Sequence, residues 1–361
     1  MGTSPVTSAN TLFAVFSFNR GAALLRCISS IERHAYRPRI VIFDDLSDDR
    51  ATRRVLKRLE KSYRVIRPDA SRPRLGRVGG LQQNMQLALD LAAEDGVHFL
   101  FCLQDDQQVV RDLESDFAAQ MAEIFDHDES IIEVVPLFIE SHLGPRYCEA
   151  RFGVDASGLF YFAERPDATW GSCDTGVFLV DRLLDHDLRF EIDERDTAER
   201  AWSRGLHFVL ARDPVMMFTP WPRAVRRRRT RPGVVRLLHG LLIRLNEVGV
   251  RAGRARLLDM TPDEVRHLKR RPVTVLPYAE HFLRTDRRVP TPWFFSDCFD
   301  RRKLRGRYFL AGKWLWDGPV EYLERVKENK EWFRSPAFID AGTTHPAEER
   351  HGGVSESERP A

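Results

Sequence analysis

The sequence offers no pattern for pairing its cysteines. Five of them (Cys27, Cys102, Cys148, Cys173, Cys298) are scattered over 361 residues, odd in number and never spaced Cys-x-x-Cys. That argues against a disulfide framework or a zinc site and for a reducing compartment. Long hydrophobic runs are also missing. No 18 consecutive residues are apolar, so no membrane-spanning helix is expected. Met1 to Asn10 has neither a basic start nor an apolar stretch, so no signal peptide is expected, and the location read from the sequence is cytoplasmic. There is no internal repeat. What remains is the composition of a soluble globular protein, 43% apolar and 30% charged. Its length suits one large domain with an appendage, or two domains.

Charge of one sign is concentrated rather than abundant. The formal net charge is +3, but residues 221–271 hold 15 Lys or Arg against four acids (Glu247, Asp259, Asp263, Glu264), a local charge of +11 that leaves −8 for the rest. Six arginines fall within Arg223 to Arg231. Such a charge needs a local explanation.

The first 135 residues alternate short apolar runs with helix-like patterns, which implies βαβ units and a mostly parallel sheet. Strands are expected at Leu12 to Phe18, Ile40 to Phe43, Tyr63 to Ile66, Val97 to Leu103 and Ile131 to Pro136. Helices are expected after Gly21, after Ser47-Asp48-Asp49, over Gly79 to Ala93 and around Asp112 to Phe125. Arg146 to Ala163 reads as a hairpin, Thr175 to Val180 as a strand, Glu194 to Arg204 as a helix and His207 to Ala211 as extended. The expected organisation is a flexible N-terminus over 1–10, an α/β domain over 11–220, a basic and mainly helical region over 221–340, and a disordered polar tail over 341–361.

Two of these strands end on paired acids. Phe99-Leu-Phe-Cys-Leu-Gln-Asp105-Asp106 and Arg39-Ile-Val-Ile-Phe-Asp44-Asp45 are buried-strand patterns that stop on carboxylates, and open α/β sheets bind ligands at that end of their strands. Asp44-Asp45 can accept the imide N–H of a uracil or the hydroxyls of a ribose; it can equally cap the next helix. Asp105-Asp106 can share a divalent cation with phosphate oxygens, or form a solvated turn. The loop Arg72-Pro-Arg74-Leu-Gly76-Arg77-Val-Gly79-Gly80 places guanidiniums and flexible backbone before a helix N-terminus, which suits a diphosphate as well as a solvated basic loop. Glu191-Ile-Asp193-Glu194-Arg-Asp196, with Arg200 and Gly205 after it, can supply a general base or simply complement a helix dipole.

The order of these segments is what gives them meaning. Phe16-Ser-Phe18-Asn19-Arg20, Cys27-Ile-Ser-Ser-Ile31, Asp44-Asp45-Leu46-Ser47-Asp48-Asp49, Asn84, Leu103-Gln104-Asp105-Asp106 and Asp193-Glu194 through Arg200 to Gly205 occur in succession. The succession resembles the family 2 glycosyltransferases over roughly residues 11–215. The resemblance implies an α/β, GT-A-type (Rossmann-like) fold and inverting, single-displacement transfer from a sugar nucleotide. By that resemblance Asp45 holds the base, with Phe18, Asn19 and Arg20 beside it; Asp105 lies near the ribose, Asp106 ligates Mn²⁺ or Mg²⁺, and Arg77 meets the diphosphate. Glu194, or its neighbours Asp193 and Asp196, is the base that deprotonates the acceptor. The chain departs from the family at Phe16 (commonly proline), Leu46 (commonly glycine), Gln104 (first position of the usual Asp-x-Asp) and in the reversed Asp193-Glu194 order.

The implied partners are a nucleoside-diphosphate sugar, UDP-sugar favoured, and a glycan, lipid-linked or other hydroxyl acceptor in glycan, cell-envelope or glycoconjugate synthesis. The Gln-x-x-Arg-Trp signature of processive synthases is absent from the sequence, which favours transfer of a single sugar. The arginines, with the apolar positions Val234 to Leu245, suit an amphipathic helix lying on an anionic membrane at its inner face. No nucleic-acid-binding motif is present and no nucleic acid is expected. A contrasting reading is a catalytically inactive GT-A-like protein that binds an anionic membrane or nucleic acid through residues 223–271.

Overall fold

A computed structural model describes residues 10–68, 80–113, 116–139, 152–163, 174–191, 194–218 and 258–278. Its elements in chain order are β1 (Thr11–Ser17), α1 (Gly21–His34), β2 (Arg39–Asp44), α2 (Arg50–Leu59), β3 (Arg64–Ile66), α3 (Leu81–Glu94), β4 (Phe99–Gln104), β5 (Gln107–Val109), α4 (Asp116–His127), β6 (Ile131–Val135), β7 (Phe152–Val154), β8 (Phe160–Ala163), β9 (Gly176–Leu179), α5 (Val180–Asp185), α6 (Glu194–Ser203), β10 (His207–Ala211), β11 (Met216–Phe218) and α7 (Pro262–Arg270).

Among these residues the main sheet has nine strands in the order β3-β2-β1-β4-β9-β6-β10-β8-β7. β3, β2, β1 and β4 are mutually parallel. β9 runs against both β4 and β6, β10 is parallel to β6, and β8 and β7 close the far edge as an antiparallel hairpin. Only β8 and β9 therefore oppose the others, and the expected mostly parallel α/β sheet is what the chain forms.

Burial on both faces explains the sequence of the central strands. All seven residues of β1 are buried. Phe13, Val15, Phe101 and Leu103 pack with Leu24, Ile28, Phe117 and Met121 on one face. Leu12, Ala14, Leu100 and Cys102 pack with Met85, Ala88 and Leu89 on the other. A strand covered by helices on both sides has no polar face to alternate with, hence the continuous runs. A one-residue slip would exchange the two faces, so the packing also fixes where each strand ends.

Several local features differ from expectation. A helix read from Asp112 begins at Asp116, and the helix read from Ser47 has Asp49 as its N-cap, accepting from the Thr52 N–H. β5 and β11 form a separate two-stranded sheet that the sequence pattern did not suggest. Of the basic region only 258–278 is described, where α7 forms with a Thr261–Glu264 capping box. The expectations for 1–9, 221–257 and 279–361 lie outside the described residues. No helix among the described residues is long and apolar enough to cross a membrane.

Candidate functional site

The register of three adjacent strands builds the site. Ser17 of β1 lies opposite Asp44 of β2, and Phe16 lies opposite Gln104 of β4. The strands thus finish at one level, and the residues after their ends are delivered to the same edge: Phe18-Asn19-Arg20, Asp45 and Asp105-Asp106. The ladder extends one step beyond the strands. The Asp45 N–H donates to the Ser17 carbonyl and the Asp105 N–H to the Phe16 carbonyl, both at 2.9 Å.

The two acids of each pair differ in what holds them. Asp105 is buried and turned inward; its Oδ2 accepts from the Ser17 hydroxyl and the Phe18 N–H, both at 3.0 Å. Its Oδ1 accepts from Arg20 at 3.2 Å, and the same guanidinium nitrogen donates to Asp106 Oδ2 at 2.5 Å. Burial pushes the Asp105 carboxyl up to about 7 against the opposing pull of Arg20. Asp44 accepts from the Ser47 N–H and hydroxyl within its own turn. Burial raises its carboxyl despite those bonds. Asp45 instead faces Gly80, whose N–H donates to Asp45 Oδ2 at 3.3 Å.

Asn19 ties the loops after β1 and β2 together. Its side-chain oxygen accepts from the N–H groups of Asp48 and Asp49 at 2.9 Å each, its amide donates to Asp48, and its own N–H donates to the Ser47 hydroxyl. Asn19 and Leu46 both have φ of 55°. Asn tolerates that left-handed backbone, whereas a leucine there is held by its surroundings.

A second group of polar residues lies under the neighbouring strand ends. The Gln104 side-chain amide donates to Asp174 Oδ2 at 2.7 Å, and the Gln107 amide to the Thr175 hydroxyl at 2.9 Å. Glu133, in the middle of β6, is fully buried. Burial raises its carboxyl well above the usual range, and the charges of Asp174 and Glu194 raise it further, so these three acids share one neighbourhood. Glu194 opens α6, which Thr197 ties to α3: its hydroxyl donates to the Gln82 side-chain oxygen at 3.2 Å and accepts from the Glu191 N–H at 2.9 Å.

Of the residues singled out in the sequence, the fold brings Phe18, Asn19, Arg20, Asp45, Asp105 and Asp106 together, with Phe18 contributing its backbone N–H. Glu194 lies on the Asp174–Glu133 side, while Asp196 on the same helix is exposed. Asp193 and Arg77 lie outside the described residues. Ser17, Asp174 and Glu133 had no role in the sequence reading, and Ser47 had one only as a helix start. Glu133 did carry a visible signal, as a lone acid within the apolar run Ile131-Ile-Glu133-Val-Val.

No protein-family model and no curated protein sequence matches the chain. Solved structures that resemble it include Staphylococcus aureus TarS 1–349, at 13% identity and TM-score 0.40 over 58% of this chain and 60% of that one. GalNAc-T7 with UDP, GalNAc and Mn²⁺ matches at 14% identity and TM-score 0.39, over 69% of this chain and 50% of that one. The mannosyltransferase PcManGT from Pyrobaculum calidifontis, in complex with GDP-Man and Mn²⁺, matches at 12% identity and TM-score 0.38, over 92% and 90%. The chain thus spans three fifths or less of the first two. At these identities and TM-scores the likeness assigns no chemistry to this chain.

Proposed function

We propose that the chain is a metal-dependent, GT-A-type glycosyltransferase. It moves one sugar from a nucleoside-diphosphate sugar, UDP-sugar the first candidate, to a hydroxyl of a glycan, lipid-linked or other acceptor. The observation that carries this reading is the convergence of Asp45, Arg20 and the Asp105–Asp106 pair at the ends of three adjacent parallel strands. That edge is where an open α/β sheet receives a ligand.

The carboxylates fit a hard divalent cation. Oxygens of Asp105 and Asp106 both accept from one guanidinium nitrogen of Arg20, so the pair already holds one positive group between two carboxylates. Oxygen donors suit Mn²⁺ or Mg²⁺. Among the described residues no group of three or more His, Cys, Asp or Glu is arranged to hold a metal ion; Asp105 and Asp106 are two side chains, and diphosphate and water oxygens would supply the remaining ligands. Asp106, with Asp105 behind it, would hold the ion; when bound, it supplies charge stabilisation to the departing nucleoside diphosphate. Asp45 is assigned the base, with Gly80 fixing its carboxylate, and Asp105 the ribose. Arg20, and Arg77 by resemblance, serve the diphosphate.

Glu194 is assigned the general base, in preference to the exposed Asp196 and with Asp193 as the remaining candidate. It takes the acceptor's hydroxyl proton as that oxygen bonds to the anomeric carbon and the bond to the diphosphate breaks, with inversion. Thermal shift with nucleoside diphosphates and sugar nucleotides, with and without Mn²⁺, tests the binding. Asp106→Asn should fold normally and lose metal-dependent donor turnover by ~10²-fold or more, the scale on which removing one electrostatic stabiliser acts. Unchanged turnover in that variant, or no stabilisation by any nucleotide, overturns the reading. Vesicle or RNA binding without nucleotide affinity would favour the non-catalytic alternative.

A further inference from the structure

We infer that Glu133 is a proton-carrying positioning residue of this site, a neutral carboxyl set behind Asp174 and Glu194 that fixes the charge of that pair. The inference rests on the glycosyltransferase reading for its role in the reaction, but not for its proton.

The position is a built one. Glu133 interrupts an apolar strand, has no solvent exposure, and neither of its carboxyl oxygens has a hydrogen-bond partner among the described residues. β9 gives way to it. A Cβ on Gly176 would lie 2.5 Å from Glu133 Oε1 and 2.8 Å from its Cγ, so only glycine leaves room for the carboxyl beside the β9 backbone. An ionised carboxylate buried without a donor is among the costliest groups a core can hold, and it neutralises instead.

The groups around it reinforce that outcome. Asp174 precedes β9 and Glu194 opens α6, and the charge of each raises the Glu133 carboxyl further, behind the leading effect of burial. On β4 the Cys102 thiol is likewise pushed up by burial and then by Glu133 and Asp174. The β10 neighbour in register is Phe208, which is apolar. None of these is a cation. Three carboxyl groups in one neighbourhood take up protons as a set, and the fully buried member keeps its proton longest.

The consequence falls on Glu194. With Glu133 neutral, one fewer negative charge opposes the ionised form of Glu194 that the acceptor's proton requires. If Glu133 ionises, its charge opposes that of Glu194 and loads the core with a bare anion. During transfer the acceptor's proton goes to Glu194, and the Glu133 proton is neither given nor consumed.

Glu133→Gln, neutral at every pH and of the same size, tests this. Its kcat/KM at pH 7 should stay within ~3-fold of wild type, while the alkaline limb of the profile moves by about a pH unit or more or disappears. A second readout needs no sugar donor. A carboxyl raised by folding stabilises fully below its unfolded value and loses that contribution as pH rises through its folded value. The wild-type folding equilibrium should therefore weaken by up to ~10-fold per pH unit in that window, and the variant should lack the slope. Superimposable pH profiles of activity and stability overturn the inference. If the variant does not fold, NMR titration of wild-type protein carrying ¹³C-glutamate must show one glutamate carboxyl still protonated at pH 7, and finding none overturns it too. Absence of transfer by the wild type would count against the proposed function, while the proton on Glu133 is read separately.

Discussion

Asp44 and Asp45 are neighbours in sequence with opposite tasks. Asp44 spends its carboxylate on Ser47 within its own turn, whereas Asp45 reaches across to Gly80. The sequence showed two acids after a strand; which one leaves its own turn to meet Gly80 depends on a turn in which Leu46 sits at φ 55°, and no residue pattern announces that. Gly80 is the lever. A Cβ there would lie 2.6 Å from Asp45 Oδ1, closer than such atoms approach, so Gly80→Ala must move the carboxylate or the start of α3. Gly80→Ala is expected to weaken sugar-nucleotide binding by ~10-fold, about 1.4 kcal/mol, without losing the fold. Titration calorimetry with a nucleoside diphosphate checks it, and an unchanged Kd would remove Asp45 from the nucleotide site.

Elements were more legible than their directions. Central strands covered on both faces announce themselves as apolar runs, which is why β1, β2, β4 and β6 stand where the sequence puts them. Polarity of a strand leaves no such trace, because Gly176-Val-Phe-Leu179 is equally apolar whichever way it runs. β9 turns out antiparallel, between β4 and β6. The ribbon β5/β11 escaped notice because Gln107, Gln108 and Val109 are all buried without an alternating pattern. The start of α2 was legible in kind, as an acid cap, but the cap also reaches the site. Asp49 accepts from the Thr52 N–H and hydroxyl at 2.7 and 2.8 Å, and that hydroxyl accepts from the Gly21 N–H at the start of α1. Asp49→Ala should therefore cost about 1–2 kcal/mol, at the upper end for an N-cap. Urea denaturation measures it, and a loss below about 0.5 kcal/mol would show that the cap carries no more than its own helix.

The molecule as a whole is closed by a segment that the sequence marked as basic and mainly helical. Where that region is described, several of its charged residues pair with the rest of the fold. Asp259 pairs with Arg33 and His34, Lys269 pairs with Asp116, and the Met260 N–H donates to the Val110 carbonyl. Arg271 is the centre of this anchor. Only 6% exposed, it donates to the carbonyls of Leu268, Val275 and Arg212, to the Tyr161 hydroxyl and to Asp213. The membrane reading of the arginine cluster thus concerns residues 223–257, whereas Arg271 belongs to the core of the fold. A guanidinium suits this position because its planar fork serves several acceptors at once; an ammonium, a single point with three donors, cannot reach them all. Arg271→Lys should accordingly lose most of what Arg271→Met loses, about 3 kcal/mol on the scale of a broken buried ion pair. Limited proteolysis provides the local reading. In both variants cleavage within 258–278 should precede cleavage of the sheet, whereas a residue serving only an outer surface would leave stability and cleavage order as they are in the wild type.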